Sequence, residues 1–368
     1  MAAISTSNRL WSRLAALLGG VLAATGARAL DLPKDRGEAL VHSYSGGGVT
    51  ANGPAVLVRK SVSDQVSLVA SYYLDSVSNA SIDVVTTASP YREQRSEYAV
   101  GVDYVYRDSQ VSLAASTSRE PDYIANRVGI DVIQEVFGGM TSVSLGFTRG
   151  ADDVGKHNAP EFSETATHWL YRVGLTQILT PRWIASVNGE ALADAGYLGS
   201  PYRVAQVFGA AVPERMPSTR SGRALNFRVL GDLGSRDSLR AEYRYYWDNW
   251  DIKAHTFEIG YRRHVGEDWL GEVGLRYYSQ SAALFYSDNA QAETLYVTRN
   301  RQLSTFNNAG IGAKLAYTVS KVPGQYDFKI NGAYEFVRFK YSDFTDIRNG
   351  NLYAYNANLL QLYASVTF

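Results

Sequence analysis

Asn358-Leu-Leu-Gln-Leu-Tyr-Ala-Ser-Val-Thr-Phe368 is the stretch on which the fold turns. Leu360, Leu362, Ala364, Val366 and Phe368 fall on one face of an extended chain, and Gln361, Tyr363, Ser365 and Thr367 on the other. Alternation with a period of two, apolar on one side and polar on the other, suits a strand between lipid and a polar lumen. A strand that stops on an aromatic residue is how the closing strand of an outer-membrane β-barrel ends, which makes Phe368 the expected assembly signal. A soluble edge strand shares the alternation, so the rest of the chain has to agree.

The other end agrees. Arg9 and Arg13 precede the apolar run Leu14–Thr25, and Ala27-Arg28-Ala29 follows it. A basic region, an apolar core and a small-x-small site make residues 1–29 a cleavable secretory signal, cut after Ala29. The apolar run of 12 residues is too short for a membrane-spanning helix, which needs roughly 20. Loss of the leader removes three arginines, leaving 33 basic against 36 acidic residues, so the mature chain from 30 to 368 is nearly neutral at about −3. That balance argues against nucleic-acid binding. With no cysteine there is neither a disulfide framework nor a thiolate metal site. A mildly negative mean hydropathy sits beside 26 tyrosines. A barrel reconciles the two, because half of each strand faces water and the aromatics gather at the two interfaces.

Alternating segments fall near 37–45, 53–62, 64–76, 92–106, 109–119, 123–136, 140–150, 162–179, 182–194, 222–234, 237–248, 252–264, 268–280, 303–320, 325–341 and 355–368. The connections are alternately short, as at 107–109, 180–182, 235–237 and 323–324, and long, as at 77–91, 151–161, 195–221, 281–302 and 342–354. The short ones have turn chemistry: Gly and Pro for special dihedrals, Asp and Ser for capping. The chain therefore reads as all-β, a single antiparallel up-and-down transmembrane barrel with short periplasmic turns and long extracellular loops. About 16 strands are expected, or 14 if the first two segments are not strands. No N-terminal globular segment precedes them, which argues against plug-gated import.

Parity places Glu97, Asp103, Arg172, Glu190, Arg228, Arg240, Glu242, Arg244, Glu272, Arg276, Lys314 and Glu335 on the lumen face, with Asp232 and Lys329. Both signs are present, which argues against a strong preference for anions or cations. Such charges either line a water-filled channel or pair across the lumen and fill it.

Four stretches carry a family resemblance: Tyr72–Glu97, Tyr243–Glu258, Gly199-Ser-Pro-Tyr-Arg203 and Arg276-Tyr-Tyr-Ser-Gln280. With them the chain resembles, over nearly the whole mature length, the bacterial family catalogued as domain of unknown function 3570. The resemblance implies a secreted protein of Gram-negative bacteria and an outer-membrane barrel, and it implies no activity, substrate or catalytic residue.

Two constellations offer chemistry. Asp75 and Asp83, with Ser78, Ser81, Glu93 and Glu97 near Arg92 and Arg95, have oxygen donors at a spacing that suits a hard cation. There is no Asp-x-Asp-x-Asp-Gly loop, and Arg–carboxylate pairing within an ordered loop explains the same residues. Asp248, Asp251 and His255 gather at a hairpin tip by the outer rim, where an Asp and His pair activates a water in some outer-membrane hydrolases. The alternative is a polar hairpin with Trp247 and Trp250 as anchors, because His255 shares parity with Phe257 and Ile259. His42 and His264 sit near strand ends, His157 in a loop, and His168 is isolated. No cofactor and no transition-metal site is indicated.

Three functions follow: a porin-like channel for passive passage of small solutes, narrowed by loops 195–221 and 281–302; a barrel that sheathes a periplasmic or surface partner; and a rim-located hydrolase. Outer-membrane lipid, lipopolysaccharide and the outer-membrane assembly machinery are the partners expected of any of them, and the oligomeric state is not legible.

Overall fold

The computed structural model describes residues 30–79, 81, 91–157 and 159–368. The expected leader over 1–29 and the candidate ligand Asp83 lie outside the described residues. The strands are β1 (Arg36–Gly46), β2 (Val49–Ser63), β3 (Val66–Asn79), β4 (Tyr91–Tyr106), β5 (Ser109–Glu120), β6 (Tyr123–Val136), β7 (Thr141–Gly155), β8 (Ser163–Thr180) and β9 (Trp183–Gly196). They continue with β10 (Val204–Val207), β11 (Ala210–Pro213), β12 (Thr219–Gly234), β13 (Asp237–Asp248), β14 (Lys253–Val265), β15 (Trp269–Gln280), β16 (Phe306–Val322), β17 (Tyr326–Thr345) and β18 (Leu352–Thr367). All but β10 and β11 form one closed antiparallel barrel of 16 strands in which β18 pairs with β1.

Each of the sixteen expected segments is a barrel strand, including the first two, so the alternative of fourteen falls away. The differences are local. β2 begins at Val49 rather than 53 because Gly47 and Gly48 complete the turn alone, with φ of 59° and 80°. Both central residues are left-handed, the conformation whose twist matches that of the flanking strands. β16 begins at Phe306 because Arg301–Leu303 form a 3-10 turn capped by the Asn300 side chain. Several strands outrun the expected ends, β17 as far as Thr345, since pairing continues into the long-loop end.

The start of β1 and the end of β18 meet at the short-turn end. Asp35 closes that seam: its carboxylate accepts the Ser61 amide at 2.6 Å and pairs with Lys60 at 2.7 Å. Its carbonyl accepts the Phe368 amide at 3.0 Å. The Lys60 ammonium sits 4.9 Å from the Phe368 ring centre. The outward face is an exposed apolar band of residues such as Val100, Leu145, Val173, Leu275 and Ile311. Aromatics flank it, with Trp269 against Tyr317 towards the short turns and Tyr245 against Trp247 towards the long loops. Among the described residues no helix is long and apolar enough to cross a membrane.

Candidate functional site

One parity runs unbroken around most of the barrel. Asp131, Gly146, Arg172, Glu190, Ala224, Tyr246, Ala254 and Gln280 are successive cross-strand partners from β6 to β15. Since alternate residues of a strand point to opposite faces, this row and the positions two removed along each strand mark the lumen wall. All twelve lumen residues expected from sequence lie on it, as do Asp131, Glu258 and Arg262, which the sequence reading did not single out.

On that wall the charges form a belt of ion pairs. Arg172 Nη2 donates to Asp131 at 2.7 Å, across β7. The span is open because Gly146 lies between them: a Cβ there would stand 2.2 Å from the Asp131 carboxylate. Arg244 donates to Glu190 at 2.7 Å, and Arg228 to Glu242 at 2.8 Å, which Asn226 also bonds at 2.6 Å. Arg262 donates to Glu272 at 2.8 Å, and Arg276 joins Glu258 at 3.1 Å and Asn308 at 2.9 Å. The side chains of Arg172, Arg228, Arg240, Arg244 and Arg262 remain 34–37% exposed although they point into a closed barrel.

The wall from β1 to β5 is more tightly paired. Arg59 donates to Asp103, and Arg95 to Glu97 at 2.9 Å and Ser118 at 2.9 Å. His42 lies in the middle of β1 rather than near its end, and bonds Asp75 at 2.7 Å and the Tyr73 hydroxyl at 2.9 Å. Asp75, a candidate metal ligand, is thus held by a histidine. A second histidine, His168, lies between Asp194 at 2.8 Å and Asp152 at 3.0 Å. With an acceptor on each ring nitrogen, both nitrogens serve best as donors. The sequence shows His168 as isolated because its partners lie 16 and 26 residues away.

At the long-loop end, connection 281–305 rests on inward-facing side chains. Tyr278, Phe306, Tyr341, Phe344 and Tyr353 form a buried cluster against which Tyr286 of that connection packs. Gln280 donates to the carbonyls of Gln302 and Ser304, and the Arg301 guanidinium lies over Tyr353 and Tyr355. The β10–β11 hairpin, not expected from sequence, packs on the same connection: Ala205 and Val207 meet Ala290 and Val297. Tyr202 pins the hairpin's connection to the rim, donating to Asp122 and accepting from the His157 amide at 2.6 Å. Burial and then the bond to Asp122 push its phenol up to about 12.

The rim cluster does not assemble as a catalytic unit. The buried Asp248 carboxylate accepts Arg220 at 2.6 Å, Tyr246 at 2.8 Å and the amides of Trp250 and Ile252 at 3.0 Å each. Asp251 is exposed at φ 65° and pairs with Lys253 at 3.3 Å. His255 pairs across the hairpin with Tyr245 and bonds Tyr243 at 2.8 Å, on the outward face opposite to Asp248. Glu93, Glu120 and Asp122 bring one oxygen each within 4.8 Å of one another at the rim. Of these only Glu93 belongs to the constellation expected from sequence.

The family model described as "Protein of unknown function (DUF3570)" matches residues 156–334. Three of the four stretches that carry the resemblance fall inside the match. Tyr72–Glu97 lies outside it, so the match runs from just before β8 into β17 rather than over nearly the whole chain. No curated protein matches. Among solved structures, a FadL homologue of Pseudomonas aeruginosa is 13% identical, with 92% of this chain and 91% of that one covered and a TM-score of 0.42. A loop-deletion mutant of OmpT, an outer membrane protein of Vibrio cholerae, is 8% identical, with 90% and 97% covered and a TM-score of 0.47. The siderophore receptor PirA of Pseudomonas aeruginosa is 12% identical with a TM-score of 0.46; the match covers 86% of this chain and only 60% of that receptor. What the chain has in common with these proteins is the barrel fold.

Proposed function

We propose that this sixteen-stranded barrel, whose residues 156–334 match that family, is an outer-membrane channel for the passive passage of small solutes. One observation carries the reading: inward-pointing arginines of the belt keep a third of their surface open to water. Charges that filled a lumen would be desolvated, at a cost of several kcal/mol per ion unless perfectly paired. Here the guanidiniums spend one or two N–H groups on carboxylates and offer the remainder to the lumen. Sixteen strands leave width for an aqueous path, and connection 281–305, seated on the inward aromatic cluster, narrows its mouth. The outward apolar band flanked by aromatic side chains suits a bilayer. The exposure of Phe368 on the outward parity supports its reading as the signal for the outer-membrane assembly machinery.

Purified protein in planar bilayers is expected to give discrete conductance steps, and liposomes containing it to swell in small neutral solutes. Silence in both assays from protein that shows the heat-modifiable migration of a folded barrel would refute the reading.

A further inference from the structure

The two signs are not spread evenly around the lumen. On β3 and β4, Asp75, Glu93, Glu97 and Asp103 face inward with Arg95. On β5 to β7, Glu120, Asp131, Glu135 and Asp152 face inward with Arg127. Five adjacent strands thus present eight carboxylates to two guanidiniums of their own, with Arg59 of β2 on Asp103 and Arg172 of β8 on Asp131 added from the flanking strands. Eight strands around the barrel from β5 lies β15, on the opposite wall. There, from β12 to β16, Arg228, Arg240, Arg244, Arg262 and Arg276 join Arg220 and Lys314 to make seven cations. Their carboxylates are Asp232, Glu242, Asp248, Glu258 and Glu272, five in number.

An acidic wall therefore faces a mildly basic one, and the two together hold thirteen carboxylates against nine cations, or eleven with Arg59 and Arg172 from the flanking strands. The near-neutral mature chain hides this, because many of its cations are outward or in the loops: Lys60, Arg119, Arg149 and Arg223 all fall on the outward parity. We propose that the lumen passes small cations in preference to anions, along the β3–β7 wall. This rests on the channel reading and adds the class of solute to it. Fixed charge within a narrow, low-dielectric enclosure raises the local concentration of the opposite sign. At physiological salt the field of a wall reaches about 8 Å, so a cation travelling beside the acidic strands is little affected by the arginines opposite. Asp131 is 48% exposed, and Glu93 and Glu135 carry no ion pair among the described residues.

The reversal potential in planar bilayers under an about tenfold KCl gradient tests this, with a K+ over Cl− permeability ratio of about 3 or more expected from a carboxylate-rich lumen. The double variant Glu93→Gln, Glu135→Gln is expected to lower the ratio about twofold while leaving conductance steps in place. Arg240→Gln on the opposite wall is expected to raise it. A ratio at or below one, or a ratio that neither variant moves, overturns the cation preference and leaves the channel standing. Absence of any conductance from folded protein overturns the channel, and the preference with it.

Discussion

Replacing Asp248 by alanine should weaken the barrel far more than replacing His255, although the two sit seven residues apart in one hairpin. The Asp248 side chain is fully buried and organises the turn from both sides. One oxygen accepts the Trp250 and Ile252 amides at 3.0 Å; the other accepts Tyr246 at 2.8 Å and Arg220 Nε and Nη2 at 2.8 and 2.6 Å. Loss of the two amide bonds costs about 1 kcal/mol each, and stranding the Arg220 guanidinium costs about 3–5 kcal/mol where it cannot reach water. Arg220 is a quarter exposed and stacks on Trp250 at 4.6 Å, so part of its charge is recovered by solvent, and a total of about 3–4 kcal/mol is expected. Asp248→Asn, which keeps the two amide bonds but not the charge, should lose about 2 kcal/mol. His255→Ala removes one bond to Tyr243 at an outward position and should lose about 1 kcal/mol. Urea unfolding in detergent micelles, followed by tryptophan fluorescence and by gel migration without heating, measures all three. An Asp248→Ala variant within about 1 kcal/mol of the parent, at the scale of a single hydrogen bond, would show that the carboxylate does not hold the turn.

The seam carries a pH prediction. Hydrogen bonding from Lys60, the largest cause, holds the Asp35 carboxyl below its usual range. Its stabilising contribution is therefore present above the unfolded value near 3.9 and lost as pH falls through the lower folded value. The gap in unfolding midpoint between the parent and Asp35→Asn should be clear at neutral pH and narrow as pH falls below the usual carboxylate range; a gap that persists undiminished in strong acid would refute this. Phe344 is fully buried between Tyr341 and Tyr353, beneath the Arg299 guanidinium at 4.3 Å. Phe344→Ala should cost about 3–5 kcal/mol of local packing, expose connection 281–305 to limited proteolysis and enlarge the conductance steps; unchanged protease resistance would count against the anchoring role. Deleting Phe368 removes its amide bond to Asp35 and the ring beside Lys60, and should lower the yield of heat-modifiable barrel in the outer membrane. An undiminished yield would show that assembly does not read it.

The fold was legible because what specifies a barrel strand is local. A period of two over nine or more residues, bounded by Gly, Pro, Asp or Ser, needs no partner to be recognised. β10 and β11 escaped for the same reason reversed. Val204-Ala-Gln-Val207 and Ala210-Ala-Val-Pro213 are too short to show a period, and their support comes from Ala290 and Val297 in another connection. Strands outrun their expected ends where pairing outlasts alternation, as in β17, which continues from Tyr341 to Thr345, pairing Thr345 with Leu352 and carrying Phe344 into the aromatic cluster.

The lumen was legible only by half, since parity tells which face a residue takes and register tells what it meets. Arg244 and Glu190 were both assigned inward, yet their bond spans 54 positions in sequence, and only the stagger of β9, β12 and β13 brings them together. The rim cluster shows what register adds. Asp248 and His255 are close in sequence and bear the right groups for water activation, but Tyr246 pairs with Ala254 and Tyr245 with His255. Asp248 shares the face of Tyr246, and His255 that of Tyr245, so the sheet itself stands between carboxylate and imidazole. Slipping β14 by one residue would turn His255 inward. It would also turn Phe257, Ile259 and Tyr261 into the charged lumen and send Glu258 and Arg262 out to the apolar outward face. Charged side chains on the lipid face of a barrel cost about 2–4 kcal/mol each near the midplane, and the bonds from Arg276 to Glu258 and from Arg262 to Glu272 would be lost as well. The hairpin is thereby held in the register that keeps the two groups apart, which is why the rim carries a structural carboxylate rather than a catalytic pair.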